Sequence, residues 1–311
     1  MIRDEPEVAI GLEPDGGAAR HTSRDLFWRR FRSNPVSVVA LAFVAFVVAA
    51  AVLGPFIYGR NPSSFDLLNP NLDAWPSWTH PLGTDHLGRD TLARLLEGLR
   101  VSLGVVLLVE SINVSFGMLA GLLAGYYGGW IDAVLSRIAD VLFAFPGLLL
   151  AILVAGVFGP DVGQAYGGLL RLALVAGSLA LVSWPLMARY VRAETLSLRT
   201  REFVQAARAL GVEDGALIRR HVMSNVIGLV LTAATLDMAA VVVNEAVLSL
   251  LGLGVQSPGS SIGLMISEGV NQLDTNWTEA LIPGAVLTLL VLAFSFLGDG
   301  LRDAFDVRIS R

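Results

Sequence analysis

Residues 36–58 read VSVVALAFVAFVVAAAVLGPFIY, 23 consecutive residues without a charge. A hydrocarbon core about 30 Å thick needs roughly 20 apolar residues in a helix, so this run is long enough to cross it. A charged segment of 35 residues precedes it, too long for a signal peptide, and the run therefore belongs to the mature chain. Working outward, further apolar runs occupy 101–125, 138–158, 169–187, 226–253 and 281–297. The whole chain agrees with this reading: 311 residues, 54% hydrophobic, 16% charged and a mean hydropathy of +0.64, against roughly a quarter charged in soluble domains. The expectation is an all-α integral membrane protein with six transmembrane helices, which excludes a soluble globular enzyme.

The charges give the expected topology. All 22 basic residues are Arg, and there is no Lys and no Cys. A chain without Lys has no Walker A loop and no Schiff-base lysine, so if ATP drives it, another chain binds the nucleotide. Absent Cys excludes disulfides and thiolate metal sites. With the N-terminus inside, 17 Arg fall on inner segments and five outside, at Arg60, Arg89, Arg94, Arg100 and Arg171. The positive-inside rule then places both termini in the cytoplasm. A net charge of −5 with scattered Arg gives no sign of a nucleic-acid partner.

The expected organisation is a cytoplasmic tail with an interfacial helix (1–35), a first span (36–58), an outer loop (59–99), a five-helix core (100–304) and a short cytoplasmic tail (305–311). The first twenty-odd residues, rich in Gly and acids, read as disordered. Arg29, Arg30 and Arg32 beside Trp28 and Phe31 read as a short interfacial helix. The inner segment 190–225 reads as two short helices broken at Gly211. Pro146 and Pro185 are expected to kink or break their spans. Gly117, Gly121 and Gly125 form a small stripe that lets another helix approach, within this chain or across a dimer.

Glu110, Asn113, Asp140, Asp237, Asn244 and Glu245 fall within spans. Such groups are expensive in lipid and should face protein or a water-filled path. Glu110 and Asn113 share a helix face, as do Asp237 and Asn244. Polar lining of a translocation path, or hydrogen bonds between helices, is a simpler reading of these groups than a proton or ion relay. Asp140, one turn after Arg137, reads as locally neutralised. None of the four histidines has a second ligand at metal-binding spacing, so no metal site is expected. Residues 259–263 (GSSIG) match the G-x-S-x-G nucleophile pattern, but they follow a membrane helix instead of a strand, which argues against a Ser261 hydrolase.

The inner segment then carries EFVQAARALG at 202–211, followed by Ile218, His221 and Asn225. This resembles the EAA loop of ABC importer permeases, with Gln205 in place of the acidic residue and Met223-Ser224 in place of Leu-Pro. RRFRSNP at 29–35, HPLGTDHLGRD at 80–90, AGYYGGWID at 124–132, EAVLSLLGLGVQ at 245–256 and LGDGLRDAFD at 297–306 are similar to the second permease subunit of the oligopeptide and dipeptide importer family. Ile262 stands where that family commonly carries Trp.

The resemblance implies a type I ABC importer permease in the cytoplasmic membrane of a bacterium or archaeon, with no catalysis and no cofactor of its own. Its implied partners are a paralogous permease, two ATP-binding subunits that hold ATP and Mg, and an extracytoplasmic substrate-binding protein. Gln205, Ala206, Ala207, Arg208, Gly211, Ile218, His221 and Asn225 would couple to the ATPase subunits. Glu110, Asn113, Asp237, Asn244 and Glu245 would line the path or join helices. The rival is a secondary transporter coupled through Glu110, Asp237 or Glu245; the inverted repeats typical of that class are not visible in the sequence.

Overall fold

The computed structural model describes residues 23–64 and 72–305, without the side chains of 23–24 and 160–169. The expected disordered tail and the extreme C-terminus lie outside the described residues. Everything regular among those described is helical; the one β pairing is an isolated bridge between Thr84 and Asp90.

Helix α1 (Ser23–Ser33) covers the Arg-rich segment, and its Phe31 is buried while Phe27 packs 4.7 Å from Phe305. Helix α2 (Pro35–Tyr58) starts where Asn34 accepts hydrogen bonds from the Val36 and Ser37 amides, with Pro35 at the first helical position. It ends at Gly59, whose φ of 65° is the left-handed cap that glycine supplies most cheaply. Most of its surface faces outward, as a lipid-facing span requires.

Helix α3 (Thr91–Ile112), a π-helical turn (Asn113–Gly117) and α4 (Met118–Tyr127) form one long element. It begins ten residues before the run at 101–125, because Asp90 caps the helix by accepting from the Ala93 amide. The Gly stripe meets the chain's own sixth helix. A Cβ on Gly117 would fall 2.7 Å from Met187 Cβ, on Gly121 2.6 Å from the Ala188 carbonyl, and on Gly125 2.7 Å from Thr195 Cβ. The close approach is therefore within the chain.

The run at 138–158 is not one straight helix. Helix α5 (Gly129–Phe143) ends before Pro146, and α6 (Gly147–Arg199) starts after it, with the two axes bent by 83°. Pro146 lacks the amide needed to continue the first helix. Pro185, in contrast, does not end its helix: α6 continues through it to Arg199, with Pro185 itself buried. In α6 the apolar stretches are Gly147–Gly159 and Leu170–Arg199.

Beyond α7 (Glu202–Ala209), Gly211 has φ 81°, and the chain turns into α8 (Asp214–Leu217). The second short helix expected here is not separate. It continues through a π-helical turn (Ile218–Val222) into α9 (Met223–Leu250), giving one 37-residue element, Asp214–Leu250. No residue between 214 and 222 interrupts the backbone, so burial of Leu217 and Val222 carries the helix on. Helices α10 (Ile262–Val270) and α11 (Thr278–Phe305) complete the chain.

Among the described residues five helices are long and apolar enough to cross a membrane, and the bent pair α5 with the first part of α6, taken as one span, makes a sixth. Two apolar clusters hold them together. One, around Val105, Leu179, Leu248 and Leu290, lies in the middle of the bundle; the other, around Tyr126, Val191, Leu198, Leu217 and Val222, lies beside α7.

Candidate coupling site and buried polar clusters

The end of the bundle that carries α7 is called here the loop end. Helix α7 is held by Val204, which is fully buried, while Gln205, Ala206, Arg208 and Leu210 are exposed and Ala207 is half-buried. This pattern leaves Ala206 and Leu210 facing away from the bundle. Gly211 is open, with nothing within 4 Å of an added Cβ, so its glycine is explained by its positive φ alone. Ile218 packs on the second apolar cluster. The rings of His221 and Phe203 lie 6.4 Å apart, and the Asn225 amide donates to the His221 carbonyl at 2.5 Å. The structure thus brings His221 beside α7, while the Asn225 bond stays within one turn of its own helix. The Gln205 side chain has no hydrogen-bond partner among the described residues, and its backbone amide donates to the Arg201 carbonyl at 3.1 Å.

Glu110, Asn113 and Asp237 also meet. The Asn113 amide donates to Asp237 at 2.9 Å, and Glu110 adjoins both. Glu110 is buried and neither of its carboxylate oxygens has a hydrogen-bond partner among the described residues; the same holds for Asn113 Oδ1. The π-helical turn begins at Asn113, the kind of irregularity frequent at functional positions. Asn244 does not join this cluster.

Glu245 stands apart, 1% exposed, and accepts from the hydroxyls of Ser102 and Ser249 at 2.9 Å each. Ser102 in turn accepts from the Ile262 amide, and Ser249 lies 3.4 Å from Ser261. Glu245 therefore fastens α3, α9 and the start of α10. Ser261 is fully buried and caps α10 by accepting from the Leu264 amide. No His contacts it among the described residues, so the G-x-S-x-G match is a helix cap. Asp140 pairs with Arg189 at 2.6 Å, and not with Arg137 as its spacing implied. The reason is that this face of α5 turns toward α6, where Asp132 also takes a two-pronged contact from Arg192.

At the opposite, cap end, the segment before α3 forms an ion network that sequence reading did not resolve. Arg89 and Arg94 each bond both Asp85 and Glu268, with four contacts between 2.6 and 2.7 Å. Arg94 is 1% exposed. Asp90 is flanked by His80 at 2.9 Å and the Tyr58 hydroxyl at 2.7 Å, and His86 meets Glu279 at 2.8 Å. Asp85, Glu268 and Glu279 lie close enough together to suggest a cation site. The two guanidinium groups already supply the positive charge for Asp85 and Glu268. The available signal was the minority of Arg on the cap side: against the positive-inside trend, each needs a partner.

The structure thus consists of apolar helices of spanning length around buried polar clusters, with a short amphipathic helix on a glycine turn at one end. The chain belongs to the family of binding-protein-dependent transport system inner membrane components, whose description matches residues 117–311. Residues 24–73 match the N-terminal transmembrane domain of oligopeptide transport permease C. It is 36% identical to the dipeptide transport system permease protein DppC of Alkalihalophilus pseudofirmus, over 91% of this chain and 89% of that one. It is 37% identical to the glutathione transport system permease protein GsiD of Pectobacterium atrosepticum, over 91% and 90%. Among solved structures it resembles a chain of the inward-facing MetNI methionine ABC transporter, with a TM-score of 0.53 and 21% identity over 68% of this chain and 96% of that one. The protein is thus an ABC importer permease, and the secondary-transporter reading has no support.

Proposed function

We propose that this chain is one half of a heterodimeric translocation path for peptides, dipeptides to oligopeptides, delivered by an extracytoplasmic substrate-binding protein. The other half is a paralogous permease. Two ATP-binding subunits, holding ATP and Mg, engage residues 202–225, and this chain catalyses no reaction itself. The names of its relatives support the cargo class. The observation that carries the coupling role is α7: a helix anchored by one buried residue, Val204, with its other side exposed and its exit fixed by Gly211. A displaced α7 pulls directly on α9, because α8 and α9 are one element. The polar group Glu110, Asn113 and Asp237 belongs to the path.

Gly211→Val tests the coupling role. At φ 81° a β-branched residue is strained by about 1–3 kcal/mol, so the turn must distort while the spans stay inserted. The expected outcome is a complex that assembles its permeases but binds ATPase subunits weakly, or hydrolyses ATP without response to loaded binding protein. Wild-type association, stimulation and uptake would refute the coupling role of 202–225.

Both termini are proposed to be cytoplasmic in a bacterial or archaeal cytoplasmic membrane, on the strength of the 17 to five distribution of Arg. A reporter fused after Arg311 should be active in the cytoplasm. Activity on the far side would invert the topology and remove α7 from reach of ATP.

A further inference from the structure

Tyr126 closes α4 at the loop end and is 3% exposed. Its hydroxyl donates to Asp214 Oδ1 at 2.5 Å and accepts from Arg208 Nη2 at 2.9 Å. Its backbone carbonyl accepts from Arg199 Nη1 at 2.9 Å, and the Arg208 guanidinium lies 5.3 Å from its ring centre. One residue of α4 therefore bonds the last residue of α6, the exposed side of α7 and the first residue of α8. Arg208 and Asp214 approach each other directly only to 3.9 Å, and both are about half exposed. Water competes for such a pair, so the buried hydroxyl between them is the stronger link.

Helix α7 needs such a link. It joins α6 through Thr200 and Arg201 and α8 through the open turn at Gly211, and its apolar hold on the bundle is narrow, Val204 with half-buried Ala207, leaving Arg208 on the exposed side. The directional hydrogen bond from Arg208 to the Tyr126 hydroxyl holds that exposed side as well. We propose that Tyr126 is a positioning residue of the coupling step: its hydroxyl ties Arg208 on α7 to Asp214 at the foot of α9, so that a push on α7 moves α4 and α9 together. This rests on the coupling role proposed for 202–225.

The test uses the complete complex of both permeases, ATPase subunits and binding protein in proteoliposomes. Tyr126→Phe keeps the ring, its packing and the guanidinium contact, and removes both hydroxyl bonds. The ATPase subunits should co-purify as with the wild-type chain, while ATP hydrolysis stimulated by loaded binding protein falls at least roughly tenfold, since two hydrogen bonds to charged groups are lost together. Asp214→Asn retains an acceptor and should stay within about twofold of wild type. Asp214→Ala should fall as Tyr126→Phe does, and the double variant no further, since both remove the same link.

Wild-type stimulation in Tyr126→Phe, or losses that multiply in the double variant, would overturn the proposal. If Tyr126→Phe is silent while Gly211→Val abolishes stimulation, the Tyr126 role alone falls; if both are silent, the coupling reading falls as well. Should the Phe chain fail to assemble, the Asp214 pair decides. Loss in Ala with retention in Asn upholds the link, and equal behaviour overturns it.

Discussion

At the cap end, Arg89 and Arg94 are buried between Asp85 and Glu268 and every contact is shorter than 2.8 Å. At the loop end, Arg208 and Asp214 are half exposed and approach each other only to 3.9 Å, with the Tyr126 hydroxyl bonded to both, while Leu210 stands 85% exposed. The cap joins the segment before α3 to α10, elements nearly two hundred residues apart, and closes its charges on themselves. The loop end leaves charge and apolar surface open. A closed, desolvated network resists movement because breaking any one bond strands a charge, whereas half-exposed pairs exchange with water at little cost. The cap is built to brace the fold, whereas the loop end keeps the open surface that the proposed coupling role requires.

The sharpest way to break this comparison is to remove a charge from the cap. Arg94→Met keeps much of the side-chain volume but leaves Asp85 and Glu268 to Arg89 alone. Truncating one partner of a buried network costs about 3–5 kcal/mol, so the variant should show a markedly lower melting temperature and poor recovery as a monodisperse complex. A melting temperature equal to wild type would mean that the cap does not brace the fold. Gly211→Val, at the loop end, should do the reverse, with a local strain of about 1–3 kcal/mol lowering the melting temperature less than Arg94→Met does while stimulation is lost.

The smallest effect is expected between the two ends. Glu245→Gln keeps an acceptor for one Ser hydroxyl, and the other hydroxyl can accept from the new amide. The cost should be about 1 kcal/mol or less, with uptake within roughly twofold of wild type. Loss of uptake in a normally assembled complex would show that the carboxylate does more than fasten α3 to α9.

Much of the loop end was legible in the sequence. Gly211 announced a left-handed turn, and the 202–211 pattern placed a helix before it. The Gly117, Gly121, Gly125 stripe announced close packing, though it could not name Met187, Ala188 and Thr195 as what it packs on. The cap was visible only as a motif. Its partners, Asp85 and Glu268, lie 183 residues apart, and no periodicity connects them. Asp140 misled for a related reason: Arg137 is its neighbour along the helix, yet Arg189 holds the bond. Tyr126 was legible only as part of AGYYGGWID, since its bonds are to Arg199, Arg208 and Asp214.

What the sequence by itself determined is the set of spans and the break at Pro146, because hydrophobic length and the missing proline amide act locally and leave their mark residue by residue. Tertiary structure alone decided that Pro185 is carried within α6, that α8 and α9 are one element, and which carboxylate each Arg meets. A buried charge takes its partner from whatever the packed helices bring within about 3 Å, and one turn of sequence on either side contains little of that neighbourhood.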